Sequence, residues 1–105
     1  MSNPSKAKGS AWELAVARYL GLERQYGAGR KDDVGDIAND PLFAVECKAL
    51  KQFDLATAVT EAEREAENAG KLFGVAVIKK PRAGVQDGYL VIRLETWKRL
   101  RSRIS

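Results

Sequence analysis

The sequence GDIANDPLFAVECK, residues 35–48, contains two candidate β-strands separated by an Asn-Asp-Pro turn. We expect these strands to span residues 34–38 and 42–49. A three-residue turn makes them antiparallel neighbours and places Asp36 opposite Ala44. The remaining elements can be placed relative to this predicted hairpin.

Side chains alternate between the two faces of a strand, so this register puts Asp36, Glu46 and Lys48 on one face. The second strand is otherwise apolar, which is typical of a strand covered on both faces. One interpretation is structural, because Glu46 and Lys48 can form an internal ion pair or mark a solvated edge. The other interpretation is a metal site.

Two carboxylates on neighbouring strands suit a hard divalent cation such as Mg²⁺ or Mn²⁺, which takes its other ligands from water and phosphate. The backbone carbonyl of Cys47 is a further candidate ligand, and Lys48 would position or activate a metal-bound water. The chain contains no histidine, so histidine-based zinc sites and catalytic triads are excluded.

The 105 residues suffice for one domain with a single core. A formal charge of +4 and a pI near 9.4 favour a polyanionic partner such as DNA. The one cysteine, Cys47, is expected to be a buried, inert thiol. No apolar run approaches the length of a membrane span, so we expect a cytoplasmic protein without a membrane partner.

The N-terminal region divides at Ser10. Residues 1–9 are polar and basic and are expected to form a flexible arm, and residues 10–105 form the single domain. A helix is expected from Ser10 to Leu20, because Ser10 and Glu13 have capping-box spacing. Its predicted buried face comprises Trp12, Ala15, Val16, Tyr19 and Leu20. Glu13 either caps this helix or reaches the metal.

A short strand is expected at residues 24–26, followed by a glycine-rich basic loop. Gly27 and Gly29 would expose backbone amides to a phosphate, and Arg30 and Lys31 would add positive charge. The loop therefore either contacts DNA or is an ordinary solvated turn.

The second helix is predicted from Leu55 to Ala69, capped by Asp54 and closed by Gly70. Its apolar face is Leu55, Ala58, Val59, Ala62, Ala66 and Ala69, whereas Glu61, Arg64 and Glu65 are expected in solvent. The last predicted elements are a strand at 74–78 extended by the DNA-contacting pair Lys79 and Lys80, a strand at 89–94, and a helix at 95–103 with Trp97 and Leu100 inward.

This order of elements resembles the PD-(D/E)XK nucleases, and among them most the archaeal and phage Holliday junction resolvases. The resemblance extends from about Ser10 to Lys80. It matches Asp36 and Glu46 to the metal-binding acids, Lys48 to the catalytic lysine and Glu13 to the helix-borne acid. The chain departs from the family in having Gly35 where many members have proline, and in lacking a glutamine often found on the second helix.

The resemblance implies an α/β (α+β) fold of the restriction-endonuclease type, with a mixed central sheet of about five strands flanked by helices. It also implies a Mg²⁺- or Mn²⁺-dependent endonuclease that acts as a homodimer on branched DNA, in particular four-way junctions. A repair or restriction-like endonuclease acting on flaps or duplex DNA would use the same residues. A non-catalytic basic DNA-binding module, in which the acids and Lys48 only form ion pairs, is the alternative from another class.

Overall fold

The computed structural model describes residues 4–25, 33–49 and 51–104. In chain order, the elements are α1 (Pro4–Leu20), β1 (Glu23–Arg24), β2 (Ile37–Ala38), β3 (Phe43–Lys48), α2 (Leu55–Ala69), β4 (Phe73–Ile78), a 3-10 turn (Val85–Asp87), β5 (Tyr89–Val91) and α3 (Leu94–Ile104). The chain therefore has an α+β fold of helices and mixed sheets, as predicted at this level.

The strands fall into two sheets instead of the single sheet that we predicted. In the larger sheet the order is β3-β4-β5, with β3 and β4 parallel and β4 and β5 antiparallel. Parallel neighbours need a long crossover connection, and α2 supplies it. The smaller sheet is an antiparallel pair of β1 and β2. The central strand of the larger sheet is therefore β4, and β3 lies at one edge of this sheet.

The predicted hairpin register is wrong by one residue. The amide of Asp36 donates to the carbonyl of Val45 (2.8 Å), where Ala44 was expected as the partner. Positive φ angles of 104° at Gly35 and 69° at Asn39 interrupt the extended backbone on either side of β2. The first strand is therefore shorter than predicted, and β2 pairs with β1 instead of forming a ladder with β3.

Helix α1 begins at Pro4, so residues 4–9 belong to the helix and not to an arm. Proline is favoured in the first helical turn, where its missing N–H costs nothing. Ser10 consequently lies inside the helix and cannot be its N-cap. The predicted end is confirmed: Gly21 has a φ of 71°, and the Leu22 amide donates back to the Ala17 carbonyl (2.8 Å).

The core forms between α1 and the larger sheet, where Trp12 and Val16 pack with Val45, Cys47 and Val75. Tyr19 and Leu20 were expected in this core but are exposed. Leu20 lies one turn beyond Val16 on the same helix face. Its exposure shows that the last turn of α1 extends past the surface that the helix covers.

Helix α2 matches the prediction at both ends. The Asp54 carboxylate accepts from the Ala56 amide (3.1 Å), and Gly70 closes the helix at a φ of 67°. Ala58, Val59, Ala62 and Ala66 are buried, whereas Leu55 is exposed. The helix approaches the sheet so closely that a Cβ atom at Gly74 would collide with the Ala62 carbonyl. This close approach places the α2 side chains directly over β3 and β4.

The C-terminal helix α3 is held differently from the prediction. Trp97 is about half exposed instead of buried, and Thr96 is the buried residue of this helix. The Arg99 guanidinium lies 5.1 Å from the centre of the Phe73 ring and donates to the Leu72 carbonyl (2.8 Å).

None of the helices in the described residues is long and apolar enough to cross a membrane.

Candidate functional site

The structure brings Asp36 and Glu46 together although the predicted ladder between their segments is absent. Asp36 is 4% exposed and Glu46 is 8% exposed. The Cys47 amide donates to Asp36 Oδ2 (2.7 Å), which fixes the Asp36 carboxyl against β3. The two carboxyls are close enough to shift each other's pKa. The hydrogen bond from the Cys47 amide to the Asp36 side chain therefore holds Asp36 beside Glu46, which the predicted strand pairing was expected to do.

Both acids lie in surroundings that disfavour their charged forms. Burial, reinforced by the charge of Glu46, raises the pKa of Asp36 to about 8. Burial, reinforced by the neighbouring carboxyl of Glu65, raises the pKa of Glu46 to about 8, against the opposing effects of Asp36 and Lys48. The surroundings of Asp36 and Glu46 therefore supply too little positive charge to keep both carboxyls ionised at neutral pH.

Lys48 is a cation that contacts this pair, on the side of Glu46. Its Nζ lies 4.0 Å from Glu46 Oε1 and 3.2 Å from Glu61 Oε2. Burial alone would lower the pKa of Lys48, but the carboxylates of Glu46 and Glu61 raise it above its ordinary value. Lys48 is therefore a stable ammonium ion. The alternative in which a lowered pKa makes it a general base does not fit this environment.

Two acids of α2 belong to the site, although both were expected in solvent. Glu61 holds the Lys48 ammonium, and Glu65 is 2% exposed. Neither oxygen of Glu65 has a hydrogen-bond partner in the described part of the chain. Burial raises the pKa of Glu65 to about 7. Its spacing from Ala58 and Ala62, seven and three residues, puts it beside the apolar face of α2 and could have signalled its burial.

Glu13 does not cap its helix, because α1 begins at Pro4, and its assignment as a metal ligand stays a prediction. Arg24 Nε donates to Glu13 Oε1 (2.9 Å), and Arg24 Nη2 donates to the Ser10 hydroxyl (3.3 Å). The charge of Glu13 makes only a small contribution to the raised pKa of Asp36. Glu13 therefore lies at the margin of the acid cluster and is neutralised by Arg24.

Cys47 is buried in the α1 core as expected, and its thiol is free. Burial raises the pKa of this thiol, so it stays protonated and unreactive. Its contribution to the site is the backbone amide that binds Asp36. The assignment of its carbonyl as a metal ligand stays a prediction.

The predicted DNA-contacting residues are only partly visible. Gly27, Gly29, Arg30 and Lys31 lie outside the described residues. Lys79 and Lys80 are exposed at the end of β4, and the Lys79 amide donates to the Lys48 carbonyl (2.9 Å). Lys79 and Lys80 therefore lie beside the end of β3 that bears Lys48.

The carboxylate oxygens of Asp36 and Glu46 are donors that suit a hard divalent cation. In residues 4–25, 33–49 and 51–104, no three His, Cys, Asp or Glu side chains are arranged to hold one metal ion. The buried carboxyls of Asp36 and Glu46 nevertheless offer the oxygen ligands that Mg²⁺ and Mn²⁺ prefer. A cation bound by these two acids would take its remaining ligands from backbone carbonyls, water or phosphate.

Comparison with protein families, curated proteins and solved structures gives no match to this chain. The resemblance to the PD-(D/E)XK nucleases therefore depends only on the order of elements and on the residues described above.

Proposed function

We propose that the protein is a metal-dependent DNA endonuclease whose site comprises Asp36, Glu46 and Lys48. The observation that supports it best is the buried Asp36–Glu46 pair, in which two carboxyls approach each other where ionised forms are disfavoured. A divalent cation bound between the two acids would stabilise both ionised carboxylates, which the 4.0 Å contact of Lys48 with Glu46 alone does not do. Sites that perturb pKa values in this way are common among catalytic centres.

Each residue has a distinct task in phosphodiester hydrolysis. Asp36 and Glu46 would hold Mg²⁺ or Mn²⁺, with the Cys47 amide fixing the Asp36 carboxyl. When bound, such an ion lowers the pKa of water and neutralises phosphate charge. The Lys48 ammonium would stabilise the negative charge that grows on the phosphoryl oxygens. Glu61 keeps Lys48 protonated and oriented toward the acids.

DNA would be held through its phosphates. Lys79 and Lys80 are exposed beside the Lys48 strand end and, together with Arg30 and Lys31, would contact the backbone without reading bases. Binding of this kind follows DNA shape, which fits a branched substrate such as a four-way junction. Flap or duplex cleavage would use the same contacts.

We also propose a homodimer, because resolving a junction needs two cuts and one chain supplies one site. Val75 and Ala76 are buried in the sheet and cannot form an interface, whereas Tyr89, Leu90 and Trp97 are exposed. Sedimentation equilibrium near micromolar concentration is expected to show the dimer. A strict monomer that only nicks a cruciform plasmid would exclude the resolvase activity and leave the endonuclease proposal intact.

The decisive test is incubation with labelled four-way junction, flap and linear duplex in Mg²⁺, Mn²⁺ or EDTA. We expect cleavage with either cation, none in EDTA, and none by Asp36→Asn protein. Binding to all three substrates without any cleavage would instead support the non-catalytic DNA-binding module, which the 3.2 Å ion pair of Lys48 with Glu61 also permits.

A further inference from the structure

Glu65 is the largest fully buried side chain of the described residues, and it is an acid. Both of its carboxylate oxygens are inaccessible to solvent and lack a hydrogen-bond partner in the described part of the chain. A buried ionised carboxylate without a donor or a cation is strongly disfavoured. Its place in the fold therefore needs a reason beyond packing.

The surroundings of Glu65 are acidic. The Glu46 and Glu65 carboxyls are close enough to shift each other's pKa, and the charges of Asp33 and Asp36 also raise the pKa of Glu65. Glu61, one turn earlier on the same helix, contacts Lys48 on β3. This contact shows independently that the Glu61–Glu65 face of α2 is directed at the strand that bears Glu46.

The lysine that contacts Glu46 is already paired with another acid. Lys48 pairs with Glu61 at 3.2 Å, and its nearest distance to Glu46 is 4.0 Å. Glutamine or methionine would fill the position of Glu65 without a buried charge. The acid is therefore best explained by a positively charged group that binds beside Glu46.

We propose that Glu65 is a ligand of the divalent cation of this site, so that α2 contributes a carboxylate that binds the ion together with Glu46. This inference rests on the proposed function for the presence of the cation. In the described residues no three acids converge on one point. A divalent cation would draw together carboxylates that otherwise repel one another.

The experiment measures cation binding without DNA. Isothermal titration of the full chain with Mn²⁺ would compare wild type, Glu65→Gln and the matched control Glu67→Gln, which changes an exposed acid two residues further along α2. We expect Glu65→Gln to weaken Mn²⁺ binding by about tenfold or more, and Glu67→Gln to leave it unchanged.

Thermal unfolding provides a second measurement on the same proteins. Mn²⁺ should raise the Tm of wild type and of Glu67→Gln more than that of Glu65→Gln. Glu65→Asp, which keeps the charge and shortens the side chain, should bind Mn²⁺ with intermediate affinity and serves as the test if Glu65→Gln does not fold.

The outcomes separate this inference from the proposed function. Wild-type Mn²⁺ affinity in Glu65→Gln, with cleavage intact, would overturn the inference alone. Glu65-dependent Mn²⁺ binding without DNA cleavage would support the inference and overturn the nuclease. Absence of Mn²⁺ binding by wild type would overturn both.

Discussion

Glu63 and Glu65 lie two residues apart on α2 and are stabilised in opposite ways. The Glu63 carboxylate accepts two hydrogen bonds from Arg93, each 2.8 Å long, at a partly exposed position. These bonds lower the pKa of Glu63. Glu65 is buried with no partner in the described residues, and its pKa is raised. One helix thus bears a satisfied surface acid and an unsatisfied buried one.

The difference between Glu63 and Glu65 separates an acid that stabilises the fold from an acid that does not. An arginine on a neighbouring segment neutralises Glu63, so this chain can pair an acid of α2 where only structure is required. In the cluster of Asp36, Glu46 and Glu65, Lys48 lies 4.0 Å from Glu46, and it is closer to Glu61, at 3.2 Å. We infer that the cluster retains its charge for a ligand, at a cost in stability that natural proteins tolerate at functional sites.

The largest effect should come from the acids of the cluster. Asp36→Asn and Glu46→Gln are expected to abolish DNA cleavage, because each removes a cation ligand, while DNA binding stays largely intact. Cleavage of labelled junction and a parallel mobility-shift titration measure the two properties. Glu63→Gln, which changes the acid that is paired with Arg93, is the control and should cleave at the wild-type rate.

Two results would remove the contrast between the acid cluster and the Glu63–Arg93 pair. Undiminished cleavage by both cluster variants would mean that these acids are structural. Loss of folding in both, judged by circular dichroism and thermal unfolding, would mean the same, because amide replacements should relieve the buried charge and not disrupt the fold.

Lys48→Ala should have the next largest effect. Removing the ammonium beside Glu46 is expected to slow cleavage by several orders of magnitude, or about 3 to 5 kcal/mol of transition-state stabilisation. Single-turnover rates at saturating protein measure this. Lys48→Arg keeps the charge and should retain more activity than Lys48→Ala. A Lys48→Ala rate within about threefold of wild type would assign Lys48 to the ion pair with Glu61 alone.

The extent to which sequence predicted these regions depends on how local the interactions are. The ends of α2 were predicted correctly because Asp54 and Gly70 act on their own helix. The hairpin register was not, since the positive φ angles at Gly35 and Asn39 replace the expected strand by a bend. Glycine and asparagine tolerate such angles, but their presence does not require them.

The candidate site shows the same division. Asp36, Glu46 and Lys48 were chosen from alternation along strands, and they come together through the Cys47 amide. Glu65 was assigned to solvent with the other charged residues of α2, although its spacing from Ala58 and Ala62 puts it beside the apolar face. Its burial follows from the contact of α2 with β3, which is set by the close approach at Gly74.

A smaller effect distinguishes the regions by pH. The pKa of Glu65 is about 7 in the folded protein against an ordinary value of 4.5. A raised folded pKa gives stability that is complete below the ordinary value and is lost as the pH rises through the folded value. In EDTA, the free energy of unfolding should therefore fall between about pH 4.5 and 7 on account of this group.

Glu65→Gln should remove that part of the slope and be more stable than wild type at pH 8, by about 2 kcal/mol. Urea unfolding at pH 4 and pH 8 measures the difference, and the two proteins should be nearly equal at pH 4. Equal stabilities at both values would show that Glu65 is not buried as a charged group.

The smallest effect is expected for Glu63→Gln, and its sign is the reverse. The hydrogen bonds from Arg93 lower the pKa of Glu63, so the stability from this group is present above its ordinary pKa and is lost as the pH falls through the lowered folded value. Exposed ion pairs contribute about 0.2 to 1 kcal/mol, so the loss in Glu63→Gln should stay within that range at pH 7 and vanish in acid. Because solvent screens the pair, added salt should shrink the loss further, whereas it should change the Glu65→Gln difference little. Urea unfolding of Glu63→Gln at pH 3 and pH 7, in low and high salt, measures this. A Glu63→Gln protein that gains stability at pH 8, as Glu65→Gln should, would mean that both acids of α2 lack compensation and that the contrast between the two regions is not real.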